Sequence, residues 1–160
     1  MVAGGIGLAP LRSFIKTVEE DPKIIGPLKI LIGAKTPLDL IYKNDLALWQ
    51  KFAWVKIAVD KADKDWTGHV GYVTDLLDTI NIYNHESYAI LCGPPVMFEP
   101  TIKKLKKYHL PNENIYLMLE RRMKCGIGKC QHCTCGDKYV CTDGPTFSWA
   151  EIKDNWETLK

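Results

Sequence analysis

The sequence predicts an α/β fold with a doubly wound parallel sheet and a small cysteine-rich lobe near its C-terminal end. Two observations predict the sheet: short apolar runs recur along the chain, and segments with helical periodicity separate them. A third observation predicts the lobe, because five of the six cysteines lie between residues 125 and 141. Strands that alternate with helices form parallel βαβ units.

The predicted elements alternate from the N-terminus onward. Apolar runs predict strands over 28–33, 54–59, 87–92 and 114–119. Helical patterns predict helices over 8–20, 38–51, 70–80, 95–108 and 148–159. We therefore expect an α/β domain over 1–119 with a truncated first strand, a cysteine lobe over 120–145, and a helical tail over 146–160.

Composition narrows the classes of function. The net charge of +2 gives no general indication of nucleic-acid binding, and 46% hydrophobic with 25% charged residues is ordinary for a globular protein. No apolar run reaches the length of a membrane span, and the first residues lack the basic start of a signal sequence. Thiols held for a metal predict a reducing cytoplasm as the location.

The first motif stands at the start of the chain. Gly5, Gly7 and Pro10 read G-x-G-x-x-P and run directly into the first predicted helix. Such a loop lets the backbone approach a pyrophosphate, and the helix N-terminus supplies N–H donors. Taken alone the signal is weak, because any tight strand-to-helix turn needs small residues. Only three residues precede Gly4, so we expect further sequence upstream or a strand borrowed from elsewhere.

The second motif, Cys92-Gly-Pro-Pro-Val-Met97, follows the third predicted strand. Glycine and proline turn the chain out of the sheet and into a helix start. The carboxyl ends of parallel strands are where open α/β sheets bind ligands. The simpler interpretation is a plain strand-to-helix turn with a buried cysteine, but the first motif at the same kind of strand end favours a binding site.

Cysteine spacing is the most specific signal in the chain. Cys125, Cys130 and Cys133 are spaced C-x4-C-x2-C, and Cys141 follows eight residues later. The opening spacing is typical of plant-type [2Fe–2S] ligands. Structural zinc and disulfides are the alternatives, although zinc ribbons usually carry two C-x2-C pairs and this chain has one. Cys135 is a competing ligand, but its place before Gly-Asp indicates a small apolar position leading into a turn.

These motifs together resemble one superfamily. GGIGLAPL, GAKTP, WTGHVGYVT and CGPPVMF resemble the pyridine-nucleotide domain of the ferredoxin–NAD(P)+ reductase superfamily. The ending ERRMKCGIGKC…YVCTDGP is similar to the branch with an appended [2Fe–2S] lobe. That branch includes the sulfhydrogenase gamma subunits, the corresponding subunit of anaerobic sulfite reductase and the dihydroorotate dehydrogenase electron-transfer subunits, and the first two are the closer in pattern.

The resemblance implies a role for each motif residue. On the pyrophosphate and flavin–nicotinamide side it places Gly4, Gly5, Gly7 and Pro10. On the nicotinamide side it places Gly93, Pro94 and Met97, with Cys92 near the hydride path as the catalytic candidate. Near the adenosine half it places Lys35 and Thr36, or Asp60 and Lys61. For the cluster it implies Cys125, Cys130, Cys133 and Cys141. Members of the superfamily carry a flavin-binding barrel before this point, and this sequence shows none.

The sequence thus predicts the NAD(P)-binding and [2Fe–2S] portion of a flavin-dependent oxidoreductase. NAD(P)H would reduce FAD held mainly by a barrel in cis or in trans. The cluster would pass single electrons to a redox subunit of hydrogenase, sulfite reductase or dehydrogenase type. We expect no activity without the flavin-binding domain. Two alternatives remain: a non-catalytic nucleotide-binding module with structural zinc, and a cluster-only carrier that binds no nucleotide.

Overall fold

The structure is a computed structural model that describes residues 1–83 and 86–159 of the chain. Its strands are β1 (Val2–Gly4), β2 (Lys29–Ala34), β3 (Trp54–Val59), β4 (His69–Val70), β5 (Ala89–Cys92), β6 (Ile115–Met118), β7 (Thr134–Cys135), β8 (Lys138–Tyr139) and β9 (Thr146–Ser148). Its α-helices are α1 (Leu8–Glu20), α2 (Lys43–Trp49), α3 (Pro95–Lys107), α4 (Val140–Asp143) and α5 (Trp149–Ile152). None of the helices in these residues is long and apolar enough to cross a bilayer.

Seven strands form one sheet in the order β4-β3-β2-β1-β5-β6-β9. The pairs β1–β2, β2–β3 and β3–β4 are parallel, and β9 runs antiparallel to β6. A second, two-stranded sheet joins β7 to β8. The mostly parallel sheet interleaved with helices confirms the predicted α/β class. The short β1 lies inside the sheet, where Val2 pairs with Leu31 and Gly4 with Gly33.

The chain divides into two compact units, of which the first comprises Met1–Asn81 and Cys92–Met97. Strands β1 and β2 are buried along most of their length, and Ile30, Leu31 and Ile32 of β2 are at most 2% exposed. Helix α1 buries one apolar stripe, formed by Leu8, Leu11, Ile15 and Val18. The spacing of three, four and three residues matches one face of an α-helix. Burying such a side chain contributes about 1.5–3 kcal/mol, so this stripe fixes α1 after the first motif.

The second unit comprises Ile82–Leu91 and Phe98–Lys160. Its core contains Leu105 of α3, Leu117 of β6 and Phe147 of β9, all at most 2% exposed. The last part of the chain adds an aromatic group, in which the Trp156 ring lies edge-on to those of Phe98 and Trp149. The segment Lys153–Leu159, a 3-10 helix, also packs on β7 of the cysteine lobe.

Three predicted helices, over 38–51, 70–80 and 148–159, are wrong in extent or type. The helix predicted over 38–51 is confined to Lys43–Trp49, because Thr36 and Asp39 form a capped 3-10 turn and Tyr42 has a positive φ of 55°. The helix predicted over 70–80 begins as β4, where the Gly71 amide donates to Val59 O at 2.9 Å, and continues as a 3-10 segment over Val73–Thr79. The helix predicted over 148–159 is an α-helical turn over Trp149–Ile152 that continues as a 3-10 helix.

The other predicted elements agree with the structure within a few residues. The strands predicted over 28–33, 54–59, 87–92 and 114–119 correspond to β2, β3, β5 and β6, and the helices over 8–20 and 95–108 correspond to α1 and α3. Lys160, the end of the predicted tail, lies outside the described residues. The sequence did not predict β4 or β7–β9.

Candidate functional site

Two glycine-containing loops, at the carboxyl ends of β1 and β5, pack against each other within the first unit. A Cβ atom on Gly7 would lie 2.3 Å from the carbonyl oxygen of Cys92, and one on Gly4 would lie 2.8 Å from Pro94 Cδ. Glycine is therefore required at both positions by contact between the loops themselves. Gly5 differs, because its φ is +55° and nothing lies within 4 Å of the place of its Cβ. That glycine serves the turn, and the space beside it is open.

The remaining residues of these two motifs surround the loop contact. Pro10 is exposed in the first turn of α1, which follows directly on a 3-10 turn over Gly5–Gly7 whose Gly5 and Ile6 carbonyls accept from the Leu8 amide. Met97 is 8% exposed, and its Cε atom would lie 2.9 Å from a Cβ on Gly93. The Cys92 thiol is buried, at 9% exposure for the residue. The motif residues of the two loops are thus brought together at strand ends next to a helix N-terminus, an arrangement that can bind an anion.

An aliphatic side chain is exposed in or directly after each loop. Ile6 in the first loop is 73% exposed, and Val96, the second residue of α3 after the second loop, is 82% exposed. Isolated exposed apolar residues are common, but these two stand in or directly after loops that are in contact through Gly4, Gly7 and the Cys92 backbone. Each loop therefore has one exposed aliphatic side chain in it or directly after it.

The residues predicted for the adenosine half come together in pairs at the ends of β2 and β3. The Lys61 amide donates to Lys35 O at 2.9 Å, and the side chains of Lys35, Asp60 and Lys61 are exposed. Thr36 differs, because its hydroxyl donates to Asp39 Oδ2 at 2.7 Å and its amide donates to the same oxygen at 3.0 Å. The Thr36 side chain is thus occupied by a helix cap, which the T-x-x-D spacing could have indicated.

His69 lies at the same sheet edge, and no motif in the sequence predicted a role for it. His69 is on β4, in register with Ala58 of β3, and its Nε2 lies 3.4 Å from a carboxylate oxygen of Asp75. The Trp66 indole N–H donates to His69 O at 3.2 Å. The clustering of Trp, Gly and His over 66–71 was the available signal.

In the second unit, the cysteine lobe aims main-chain N–H groups at two cysteine sulfurs. The Cys130 amide donates to Cys125 Sγ at 3.3 Å, and the Gly128 amide donates to Cys141 Sγ at 3.2 Å. Hydrogen bonds from the Ile127 amide, then from Cys130 and Lys129, lower the pKa of Cys125 to about 6. N–H donors stabilise a thiolate, so this turn already favours the form of cysteine that binds metals.

The four predicted ligands interact mainly as the pairs Cys125–Cys130 and Cys133–Cys141, and Cys125 also acts on Cys141. The Cys130 side chain contacts Cys125, and the Cys133 thiol raises the pKa of Cys141, with burial second among the causes. Within residues 1–83 and 86–159, no three His, Cys, Asp or Glu side chains are grouped so that they could hold a single metal ion. Two pairs of thiols with N–H groups directed at sulfur fit a two-iron cluster, in which each iron takes two protein ligands.

Cys135 has different surroundings. The residue is fully buried on β7 and pairs with Lys138 across the small hairpin. Burial, ahead of the nearby charges, raises the pKa of Cys135. A buried thiol with a raised pKa behaves as a small apolar residue. The surroundings of Cys135 therefore support a packing role.

Comparison with known proteins adds to this geometry. Residues 1–103 match the family model described as the oxidoreductase NAD-binding domain. The chain belongs to this family. Residues 120–153 of this NAD-binding-domain protein match a second model, the iron–sulfur cluster binding domain of dihydroorotate dehydrogenase B. The two matches confirm the predicted combination of a NAD-binding oxidoreductase domain with an iron–sulfur-binding domain.

Curated relatives of this NAD-binding-domain protein are electron-transfer and hydrogenase subunits. It is 34% identical to sulfhydrogenase 2 subunit gamma of Pyrococcus furiosus, over 99% of the chain and 59% of the relative. It is 32% identical to the probable electron transfer subunit of dihydroorotate dehydrogenase B (NAD(+)) of Methanocaldococcus jannaschii, over 95% of the chain and 55% of the relative. The chain spans a little over half the length of these relatives.

Solved structures show the same fold. The NADH-dependent reduced ferredoxin-NADP oxidoreductase, described for flavin-based electron bifurcation, matches 99% of this chain and 56% of its own with a TM-score of 0.70 and 24% identity. The cytochrome b5 reductase domain of Ulva prolifera nitrate reductase matches 73% of this chain and 46% of its own, with a TM-score of 0.66 and 22% identity. The longer coverage of the first match takes in the cysteine lobe.

Proposed function

We propose that this chain binds NADH or NADPH and a [2Fe–2S] cluster, and carries electrons between the nucleotide, FAD and a partner redox subunit. The observation that carries the proposal is the pair of main-chain N–H···S arrangements at Cys125 and Cys141. Such donors have no use in a nucleotide-binding module alone. A bound [2Fe–2S] cluster would supply one-electron chemistry, whereas nicotinamide gives a two-electron hydride.

The two loops of the first unit would hold the reacting half of the nucleotide. Gly4, Gly5, Gly7 and Pro10 would approach the pyrophosphate, because the loop is short of side chains and opens at the N-terminus of α1. Gly93, Pro94 and Met97 would face the nicotinamide, with the buried Cys92 near the hydride path. Lys35, Asp60 and Lys61 would contact the adenosine half, together with the Thr36 backbone. A hydride acceptor must be held in near contact, and the exposed aliphatic side chains at the two loops suit a flat flavin ring.

The cysteine lobe would hold the cluster through Cys125, Cys130, Cys133 and Cys141. The N–H groups of Ile127, Gly128 and Cys130 would stabilise the negative charge on the sulfurs, and Lys124 and Lys129 would offset the charge of the whole group. The paired arrangement of thiols favours this site over a single tetrahedral zinc ion, which needs four ligands around one point.

FAD and the redox partner would come from outside this chain's two units. The matched regions cover 59% of the sulfhydrogenase gamma subunit and 55% of the dihydroorotate dehydrogenase electron transfer subunit. We propose a flavin-binding barrel in cis or as a separate chain, and a partner of hydrogenase, sulfite reductase or dehydrogenase type, in a reducing cytoplasm. The flavin would convert one hydride into single electrons for the cluster.

The cluster assignment is tested by iron and sulfide content after anaerobic purification. We expect about two irons and two sulfides per chain with brown visible absorption, each lost when Cys125, Cys130, Cys133 or Cys141 is replaced singly by Ser. Cys135→Ser is the matched control and should keep its iron. The ligand set is wrong if Cys135→Ser empties the site while Cys133→Ser does not. A colourless protein with one bound zinc would support the zinc alternative instead.

The nucleotide and flavin assignments need separate measurements. Calorimetry with NADH and with NADPH should show weak binding of one or both, and Lys61→Ala should weaken it further. The 160-residue chain should purify without stoichiometric FAD and should not transfer electrons from NAD(P)H to a viologen, because one edge of contact does not offset the ordering cost of binding. Adding the flavin-binding barrel should restore both. Rapid NAD(P)H oxidation by the flavin-free chain would show that a missing flavin domain is not needed.

A further inference from the structure

The four-residue turn between Cys125 and Cys130 directs its main chain inward and its side chains outward. The amides of Ile127 and Lys129 donate to Cys125 Sγ, and the Gly128 amide donates to Cys141 Sγ. Gly126 has a φ of +72°, and so does Gly128, which lets successive N–H groups converge in so short a turn. Because the backbone faces the sulfurs, the side chains of this turn form the outer surface over them.

That outer surface is apolar at its centre. Ile127 stands between the two glycines and is 61% exposed, and Met123, two residues before Cys125, is 49% exposed. A single exposed aliphatic side chain is ordinary. Two within five residues, over thiols that bind a redox group in the proposed function, place bare apolar area where a protein must approach to exchange electrons.

Exposed basic side chains flank these apolar residues in the sequence. Arg122, Lys124 and Lys129 are all exposed, and the sequence has no Asp or Glu from Arg122 through Cys133. The chain as a whole is nearly neutral at +2, so this stretch is a local concentration of positive charge. Arg122, Met123, Lys124, Ile127 and Lys129 are called the cysteine-turn surface below.

We infer that the cysteine-turn surface docks an acidic electron-carrier protein, one that displays carboxylates around its own redox group. The exposed apolar centre would be the contact, and the basic residues would steer the approach and fix its orientation. The transfer would move one electron from the cluster to the carrier, which would be reduced by one electron, and no atom or proton would pass between the proteins. The inference rests on the proposed function and specifies the charge of its partner.

The test measures binding with both proteins oxidised, so that it does not depend on turnover. The probes are a plant-type ferredoxin, an acidic protein, and cytochrome c, a basic one. We expect calorimetry to show ferredoxin binding that weakens by about tenfold or more between about 0.02 M and about 0.2 M salt. Cytochrome c should not bind.

Variants locate the binding surface. Lys124→Glu with Lys129→Glu should weaken ferredoxin binding by about tenfold at low salt, and Ile127→Asn by at least about fivefold. Lys107→Glu is the matched control, since Lys107 is an exposed lysine on α3 outside the lobe, and it should change binding by less than about twofold. Each variant is compared at equal iron content, read from its visible absorption.

A measurement on the unaltered chain covers the case in which a variant fails to fold. Zero-length carbodiimide cross-linking to ferredoxin should join its carboxylates to Lys124 or Lys129. Cross-links confined to Lys103–Lys107, tighter binding of cytochrome c, or equal losses with Lys107→Glu would each overturn the inference. A chain that carries its cluster yet binds neither probe also overturns it and leaves the proposed function standing, whereas a chain without iron overturns the proposed function first.

Discussion

Gly5, Gly7 and Gly26 of the first unit have different local surroundings. Replacing each by alanine should therefore change the stability of the chain by different amounts. A Cβ on Gly7 would lie 2.3 Å from Cys92 O and 2.7 Å from the Gly93 amide nitrogen. Gly5 has φ +55° but open space, and Gly26 has open space without a positive φ. The added methyl group therefore clashes with backbone at Gly7, strains the backbone at Gly5, and does neither at Gly26.

The structure gives a magnitude for each. The contact at Gly7 is more than about 1 Å short of ordinary van der Waals distance, and backbone cannot move aside as a flexible side chain can. Gly7→Ala should cost about 3 kcal/mol, at the upper end for overpacking. Gly5→Ala should cost about 1 kcal/mol, since a strain of about 1–2 kcal/mol is partly offset by the stiffer unfolded chain. Gly26→Ala should be neutral or stabilise by up to about 1 kcal/mol.

Thermal unfolding followed by circular dichroism measures the series. For a chain of this length about 1 kcal/mol corresponds to roughly 2–4 °C. Gly7→Ala should therefore unfold about 6–12 °C below the parent, Gly5→Ala about 2–4 °C below, and Gly26→Ala at or slightly above it. If Gly7→Ala unfolds at the temperature of Gly26→Ala, the loop-to-loop contact is not as the structure has it and the packing argument fails.

Two further predictions concern the second unit. Gly136→Ala should lower the unfolding temperature and the iron content, because its φ is +61° and the new Cβ would lie 2.1 Å from Asn155 Cγ; adding Asn155→Ala should restore part of the loss, and no restoration would mean that the contact is unimportant. Hydrogen bonds from the Ser148 amide, then its hydroxyl, lower the pKa of Glu151, so Glu151→Gln should destabilise the chain above the unfolded glutamate pKa of about 4.3. That difference should vanish as the pH falls through the lowered pKa of the folded state, whereas the exposed control Asp154→Asn should show no such convergence.

The sequence could predict the elements whose burial is uniform. Strand β2 is a continuous apolar run, and α1 shows its buried stripe directly in the spacing of Leu8, Leu11, Ile15 and Val18. The predicted helix over 70–80 was wrong because the apolar residues there also suit a short strand and a 3-10 segment. What decides the start of this segment is the pairing of His69 and Val70 in β4 with Ala58 and Val59 in β3, which periodicity within 70–80 does not show.

The sequence predicted which residues form the candidate sites better than it predicted their hydrogen bonds and contacts. Cysteine spacing indicated which thiols lie together, since a four-residue turn limits their separation. Spacing could not show that the amides of Gly128 and Cys130 point at Cys141 and Cys125, because that depends on φ values along the turn. Similarly, the motif indicated that the backbone at Gly7 is closely approached. It could not show that the approaching group is the backbone of Cys92. The resemblance implied that Thr36 lies near the adenosine half, but not that its hydroxyl is hydrogen-bonded to Asp39.

The turn over the cysteines holds its sulfurs with a chemical group that all amino acids but one possess. An N–H donor at Ile127 or Lys129 survives any substitution except proline, which lacks it. The main chain of these residues therefore stabilises the sulfurs, whereas their side chains determine the outward surface. A chain built this way can exchange an aliphatic for a polar side chain at position 127 without removing the main-chain donor that stabilises the thiolate. A single substitution can then change which partner protein binds, while the main-chain hydrogen bonds to the cysteine sulfurs are retained.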